Sequence, residues 1–179
     1  DVNQKEKGAD NAASLALSYE KGGLYLAAAF DKNVVVVESN ASLHDESQVY
    51  RLVAQYTLGA WQLGALYDDH DETRYNPVAP LVAREIQGSG WIISSQYTLG
   101  QWALKAQYGQ SDIMMKSAAN ERDADVFSLG ADYKLSKTTR LFGFYTSEAA
   151  DLTWKSGSNP AVTGDESNGY FALGGELIF

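Results

Sequence analysis

The chain has 179 residues, enough for one domain, and combines 11 Tyr, 16 Gly and 4 Trp with only 3 Pro and no Cys. The absence of Cys removes disulfide, zinc-thiolate and thiol-nucleophile chemistry together, and a net charge of −9 without clustered Lys or Arg argues against a nucleic-acid partner. A mean hydropathy of −0.29, with no apolar run approaching the roughly 18 residues of a spanning helix, leaves a soluble fold or a barrel whose strands show lipid only alternate side chains.

The first ten residues, Asp1 to Asp10, are polar and mixed in charge and contain no apolar stretch of a signal peptide. A first strand is expected over Asn11 to Glu20, and from there one unit recurs. Its copies are Ser18 to Phe30 (SYEKGGLYLAAAF), Gln55 to Tyr67 (QYTLGAWQLGALY), Gln96 to Tyr108 (QYTLGQWALKAQY) and Asp132 to Tyr145 (DYKLSKTTRLFGFY). In each, a Tyr precedes a short turn and an apolar alternation follows. The anchoring residues Tyr19, Tyr56, Tyr97 and Tyr133 lie 36 to 41 residues apart, a spacing that suits a hairpin plus one long connection. Gly22-Gly23, Gly59-Ala60, Gly100-Gln101 and Ser136-Lys137 read as the tight turns. Lys32 to Ser47, Asp69 to Gly88, Ser111 to Ala124 and Ser147 to Asn168, rich in polar residues, Pro or Gly, read as long loops. Short turns at one end and long loops at the other is the asymmetry of an outer-membrane barrel.

Period-two reading predicts nine strands with two unlike faces. One face carries Leu15, Leu17, Tyr19; Leu24, Leu26, Ala28, Phe30; Tyr50, Leu52, Ala54, Tyr56; and Trp61, Leu63, Ala65, Tyr67. It continues through Trp91, Ile93, Tyr97; Trp102, Leu104, Ala106, Tyr108; Phe127, Leu129, Tyr133; Leu141, Tyr145; and Phe171, Leu173, Leu177, Phe179. No charge falls among these positions. The opposite face holds Glu20, Asp31, Arg51, Gln55, Gln62, Asp68, Gln96, Lys105, Gln107, Asp132, Lys134, Arg140 and Glu176. Aromatics sit mostly at the strand ends and aliphatics between them, as headgroup and acyl layers select. A soluble sandwich also alternates, but agreement over nine strands with paired aromatics favours a bilayer. The expected fold is therefore all-β, an antiparallel transmembrane barrel wall forming a single domain over residues 1–179. Tyr19, Tyr56, Trp61, Tyr67, Trp91, Tyr97, Trp102, Tyr108, Tyr133 and Tyr145 would form its lipid-facing girdle.

The chain ends GYFALGGELIF. Phe171, Leu173, Leu177 and the terminal Phe179 resemble the C-terminal signal that the barrel-assembly machinery recognises in Gram-negative outer-membrane proteins. Together with YTLGAW, YTLGQW and GADYKLSKTTRLFGFY, this resembles the trimeric general porins of Proteobacteria over nearly the whole chain. The resemblance implies a bacterial outer-membrane location, a sixteen-stranded homotrimeric barrel in contact with lipid and lipopolysaccharide, a pore narrowed by an inward-folded loop, and passive diffusion of small hydrophilic solutes and ions. Single-chain barrels have even strand numbers with both ends in the periplasm. Nine strands ending at a periplasmic Phe179 put Asp1 to Asp10 outside, so about seven strands and the constriction loop are expected upstream, in a parent of more than about 300 residues at roughly 40 residues per hairpin.

Arg51, Gln55, Gln96, Lys105, Gln107, Lys134 and Arg140 are expected to line the pore. Arg51, Lys105, Lys134 and Arg140 would lend it a basic component which, in the family, faces an acidic constriction loop. Ordinary hydration charges are the plainer account of the same residues. Asp68 to Glu72 is an acidic run at a loop base, read as solvated rather than as a calcium site. Val34 to Val37 is an apolar run that either extends a strand or meets a neighbouring subunit. No metal or cofactor is expected, nor an enzyme: His44 and His70 sit in loops without a nucleophile motif, and Ser42 and Ser47 read as loop serines. A substrate-specific channel and a small non-conducting barrel, acting as anchor or adhesin, are the alternatives. Small inward residues such as Ala27, Gly64, Ser94 and Gly130 cannot fill a closed small barrel, which favours an open lumen.

Overall fold

A computed structural model describes residues 12–34, 45–74, 84–116, 120–155 and 160–177. They form β1 (Ala13–Lys21), β2 (Leu24–Lys32), β3 (Asp45–Leu58), β4 (Trp61–Arg74), β5 (Arg84–Leu99), β6 (Trp102–Met115), β7 (Asn120–Lys134), β8 (Thr139–Trp154) and β9 (Val162–Leu177). The nine strands make one antiparallel sheet in sequence order, each paired with its predecessor and successor, so that β1 and β9 are its edges. Phe179 and Val35 to Val37 lie outside the described residues, as do Ser42 and His44.

Turn chemistry sets the register. Gly22 and Gly23 both take positive φ (59° and 84°), the left-handed pair that a two-residue hairpin with right-handed strand twist requires. Gly59 and Gly100 place the same backbone sign at the first turn position of the next two hairpins (φ 60° and 59°). The fourth turn, 135–138, uses four residues instead. There Leu135 and Ser136 donate their amides to the Thr139 carbonyl, and the Ser136 hydroxyl accepts the Thr138 amide.

With the register fixed, the two faces separate. Residues directly opposite share a face. Tyr19 stands opposite Leu26, Tyr56 opposite Leu63, and Trp61 opposite Tyr97. Further along, Trp102 faces Tyr133, Leu104 faces Ala131, and Tyr145 faces Phe171. Leu173 is 75% exposed, Leu17 75% and Ile93 53%; among the described residues only Ala124 and Ala150 are buried apolar side chains. A single-layer sheet with this much exposed aliphatic surface has no core of its own. Water does not tolerate a continuous apolar face of that size, so hydrocarbon must supply the second layer.

Aromatic contacts mark the two margins of the apolar face. Near the short turns, Trp61 and Tyr97 lie with ring centroids 4.7 Å apart, and Trp102 and Tyr133 likewise at 4.7 Å. Toward the other end, Phe30 meets Tyr50 at 4.9 Å and Trp91 meets Tyr108 edge-on at 5.6 Å. Leu26, Ala28, Leu52, Ala65, Ile93, Leu104 and Leu129 fill the interval between them.

The strands run further than expected. Segments read as the long loops Asp69 to Gly88, Ser111 to Ala124 and Ser147 to Asn168 are largely strand: β4 continues to Arg74 and β5 begins at Arg84, β6 continues to Met115 and β7 begins at Asn120, and β8 continues to Trp154 and β9 begins at Val162. The reason is solvent. A tilted strand needs about 9–11 residues to cross a bilayer, whereas β3 to β9 have 14 to 16. Beyond the aromatic margin both faces are wet, so hydrophobic alternation disappears while the backbone ladder continues. Asp69, Asp71, Asp123 and Asp125 stand on the same face as the belt but past its rings. Asp68 to Glu72 therefore lies within β4, not in a loop, and alternation sends Asp69 and Asp71 to the face opposite Asp68 and Glu72, so the five residues do not converge on one ion.

Replacing Leu104 by Arg puts a charge in the middle of the apolar belt and should cost about 2 to 4 kcal/mol. Gln107→Arg, on the other face, should cost under about 1 kcal/mol. Urea folding titrations of the full-length protein in lipid vesicles check the pair; equal losses would refute the face assignment.

Candidate functional site

The polar face concentrates the chain's hydrogen-bonding and charged groups, and strand alternation explains why they meet. Turn Gly100-Gln101 brings Gln96 opposite Lys105, and across the next pairing Lys105 stands opposite Gly130. The glycine carries no side chain, so the lysine reaches past it: Lys105 Nζ donates to Asp132 Oδ2 at 2.7 Å. Arg140 donates to the same oxygen at 3.0 Å and pairs with Glu176 at 2.7 Å. Four side chains from β6, β7, β8 and β9 thus form one alternating-charge network. Asp132, between two cations, is the least exposed member at 14%.

Similar pairing recurs along the sheet. Arg51 binds Asp68 Oδ2 through Nε and Nη2 at 3.0 and 2.8 Å, and His70 Nδ1 lies 3.6 Å from the other Asp68 oxygen. The His70 ring rests on the buried Gly88 of the neighbouring strand, where an added Cβ would stand 2.6 Å from Cε1. Toward the end with longer connections, Arg122 meets Glu148 at 2.6 Å. The expected basic component therefore takes another form. Arg51, Lys105 and Arg140 each hold a carboxylate, which leaves small neutral clusters where a bare cationic stripe would otherwise stand. Lys134 faces the same side, opposite Arg140 and next to the short turn.

Between these clusters lies a neutral strip. Gln55, Gly64, Ser94, Gln107, Ser128 and Thr146 follow one another across six strands in register. Gln107 donates to the Ser128 hydroxyl at 3.3 Å, and Ser128 and Thr146 share a hydrogen bond of 2.8 Å. A hollow of about 500 Å³ opens over this strip, lined also by Gln62, Gln96 and Phe144. All seven residues expected on this face, Arg51, Gln55, Gln96, Lys105, Gln107, Lys134 and Arg140, are there by register. Asp132 and Glu176 were read onto this face but not among the pore-lining residues, and Phe144 was not named. The partners of Lys105 and Arg140 follow from register across connections, which periodicity alone does not supply; Arg122 and Glu148 lay in or beside segments read as loops. Among the described residues no group of three or more acidic, His or Cys side chains is arranged to hold a metal ion.

A sheet that joins consecutive strands without crossover, with hydrogen-bonding groups on one side and an aliphatic belt between aromatic margins on the other, defines a transmembrane β-barrel wall of porin type. The family model for Gram-negative porins matches residues 1–151, and the chain belongs to that family, whose place is the bacterial outer membrane. No curated protein sequence matches the chain. Among solved structures it is similar to the trimer form of in-vitro folded OmpT, an outer membrane protein of Vibrio cholerae, at 18% identity and a TM-score of 0.67, over 93% of this chain and 55% of that one. It is also similar to an anion-selective porin from Comamonas acidovorans, at 20% identity and a TM-score of 0.63, over 92% of this chain and 48% of that one. Both likenesses are of fold, and the chain spans about half the length of these structures.

Asp132→Asn removes the carboxylate shared by Lys105 and Arg140. Both cations are about two-fifths exposed, at 41% and 43%, so solvent screens the pairs and the loss in stability should stay near or below about 1 kcal/mol. The freed positive charge should instead shift the reversal potential of the full-length protein, measured in a KCl gradient, toward anions. An unchanged potential would mean that the network does not face the conducting path.

Proposed function

We propose that this chain forms about half the wall of a water-filled channel through which small hydrophilic solutes and ions cross the outer membrane by passive diffusion. One observation carries the reading: through the aliphatic belt, every charged and amide side chain of nine strands lies on one face, while the other face is apolar. A polar wall with paired charges stays hydrated and presents no deep well in which an ion would stall. Further strands would pair with the edges β1 and β9, because unpaired backbone groups in hydrocarbon cost several kcal/mol each. The resemblance to general porins extends the proposal to sixteen strands, a homotrimer, contact with lipid and lipopolysaccharide, and delivery by the barrel-assembly machinery through the C-terminal strand. No catalytic role is assigned: the His70 ring lies 3.6 Å from Asp68 and packs on Gly88.

Reconstituted in planar bilayers, the full-length protein should give steps whose conductance rises in proportion to KCl concentration, appearing in groups of three. Gln107→Trp, which puts bulk on the polar face, should lower the step, whereas Leu104→Phe on the lipid face should leave it unchanged. Absence of conductance would favour the anchor or adhesin reading. Deleting Phe179 should reduce the amount of folded protein recovered from outer membranes several-fold without altering folding from urea into vesicles; equal recovery would remove the C-terminal strand's role as an assembly signal.

A further inference from the structure

Phe144 is out of place on the polar face. The residue is 42% exposed, and its register partners on either side are Gly130 and Ala172, too small to cover its ring. The contrast with Phe142, two residues earlier on the same face, is instructive. The tip of that ring lies against Gly174, leaving no room there for an added Cβ, and the ring carries the Arg140 guanidinium 6.0 Å from its centroid. Phe142 is packed, and Phe144 is presented.

What surrounds Phe144 has its own chemistry. The hollow of about 500 Å³ beside it falls in the range of small-molecule sites. Into it face the amides of Gln55, Gln62 and Gln96, which make no side-chain hydrogen bond among the described residues, and the amide oxygen of Gln107 beyond its bond to Ser128. An amide offers a donor and an acceptor side by side, the complement of a hydroxyl, which is both. The nearby cations are already matched: Lys105 and Arg140 share Asp132, and Arg140 also holds Glu176. A carboxylate or phosphate solute would have to displace a carboxylate, whereas a neutral polyol meets unspent amides.

We infer that this hollow is a weak binding subsite for a neutral sugar, whose pyranose C–H face stacks on Phe144 while its hydroxyls bond the nearer groups of the lining, the Gln96 and Gln107 amides and the Ser128 hydroxyl. The inference rests on the channel reading above and deepens it, making the wall a solute-retaining surface as well as a boundary. Weak retention raises the local sugar concentration at the wall and still lets the sugar leave, the balance that flux requires.

The test is current inhibition of the full-length channel in planar bilayers, titrated with glucose and with maltose, using glycerol at matched viscosity as the reference. Expected is a saturable decrease in conductance with either sugar, beyond the linear effect of glycerol, and weaker inhibition by the anion gluconate than by glucose. Phe144→Ala should raise the half-inhibiting concentration about three- to tenfold, inhibition being read against that variant's own sugar-free KCl conductance, and Phe144→Tyr should restore it. Should Phe144→Ala fail to assemble, Gln96→Leu, which keeps the strand and removes one amide, should weaken inhibition in the same direction. A conducting pore in which sugars act only as glycerol does, or in which gluconate inhibits more than glucose, overturns the subsite and leaves the channel standing. A protein that conducts no ions at all overturns the channel reading itself.

Discussion

In hydrocarbon a backbone N–H or C=O has no water to fall back on, and that constraint orders everything else in this molecule. A sheet satisfies it by pairing each strand on both sides, and the simplest way to do so along one chain is to fold back on the strand just made. The meander from β1 to β9 is that solution carried through without one crossover. Period-two alternation then follows as geometry, since a strand with lipid on one side and water on the other has to divide its side chains between them. The energetic weight sits in the ladder and in the lipid contact; the polar face is thereby released from packing and free to carry chemistry.

That release accounts for the form of the charged groups. Exposed ion pairs contribute little to stability, so Arg51 with Asp68, or Asp132 between Lys105 and Arg140, is poorly explained as a device for holding strands together. What such pairs do is set the potential near the wall. Neutral clusters separated by amides and hydroxyls give a surface that is polar everywhere and strongly charged nowhere, and an exposed ring such as Phe144 is tolerated there because water already covers its neighbours.

Legibility in the sequence tracked the contrast between the two solvents. Between the aromatic margins one side of each strand is hydrocarbon and the other water, and there the pattern was sharp: strand count, order of turns, and the facing of Leu104 against Lys105 were all readable from residue type. Above the margins the contrast vanishes, and Ser111 to Met115, Asn120 to Ala124 and Ser147 to Trp154 read as loop though they continue the ladder. The side-chain network was half visible. Lys105 and Arg140 read onto one and the same face, but their meeting at Asp132 depends on the register of β6 on β7 and on the four-residue turn 135–138, quantities that no periodicity encodes. Phe144 was passed over for a different reason: period two sets it on the face opposite Leu141 and Tyr145, but a Phe carries no polar group to mark its place on the wet face.

Because each strand pairs only with its sequence neighbours, every long-range contact of the sheet spans one hairpin or one connection. Such a topology has low contact order for an all-β protein and can grow by accretion, each hairpin adding to an edge that already exists. The recurring unit built around Tyr19, Tyr56, Tyr97 and Tyr133 is then a module in the evolutionary sense. A copy can be gained or lost with its own turn and its own share of belt while the others keep their partners, and since a barrel's diameter grows with its number of strands, the width of the aperture becomes something a genome can count in hairpins.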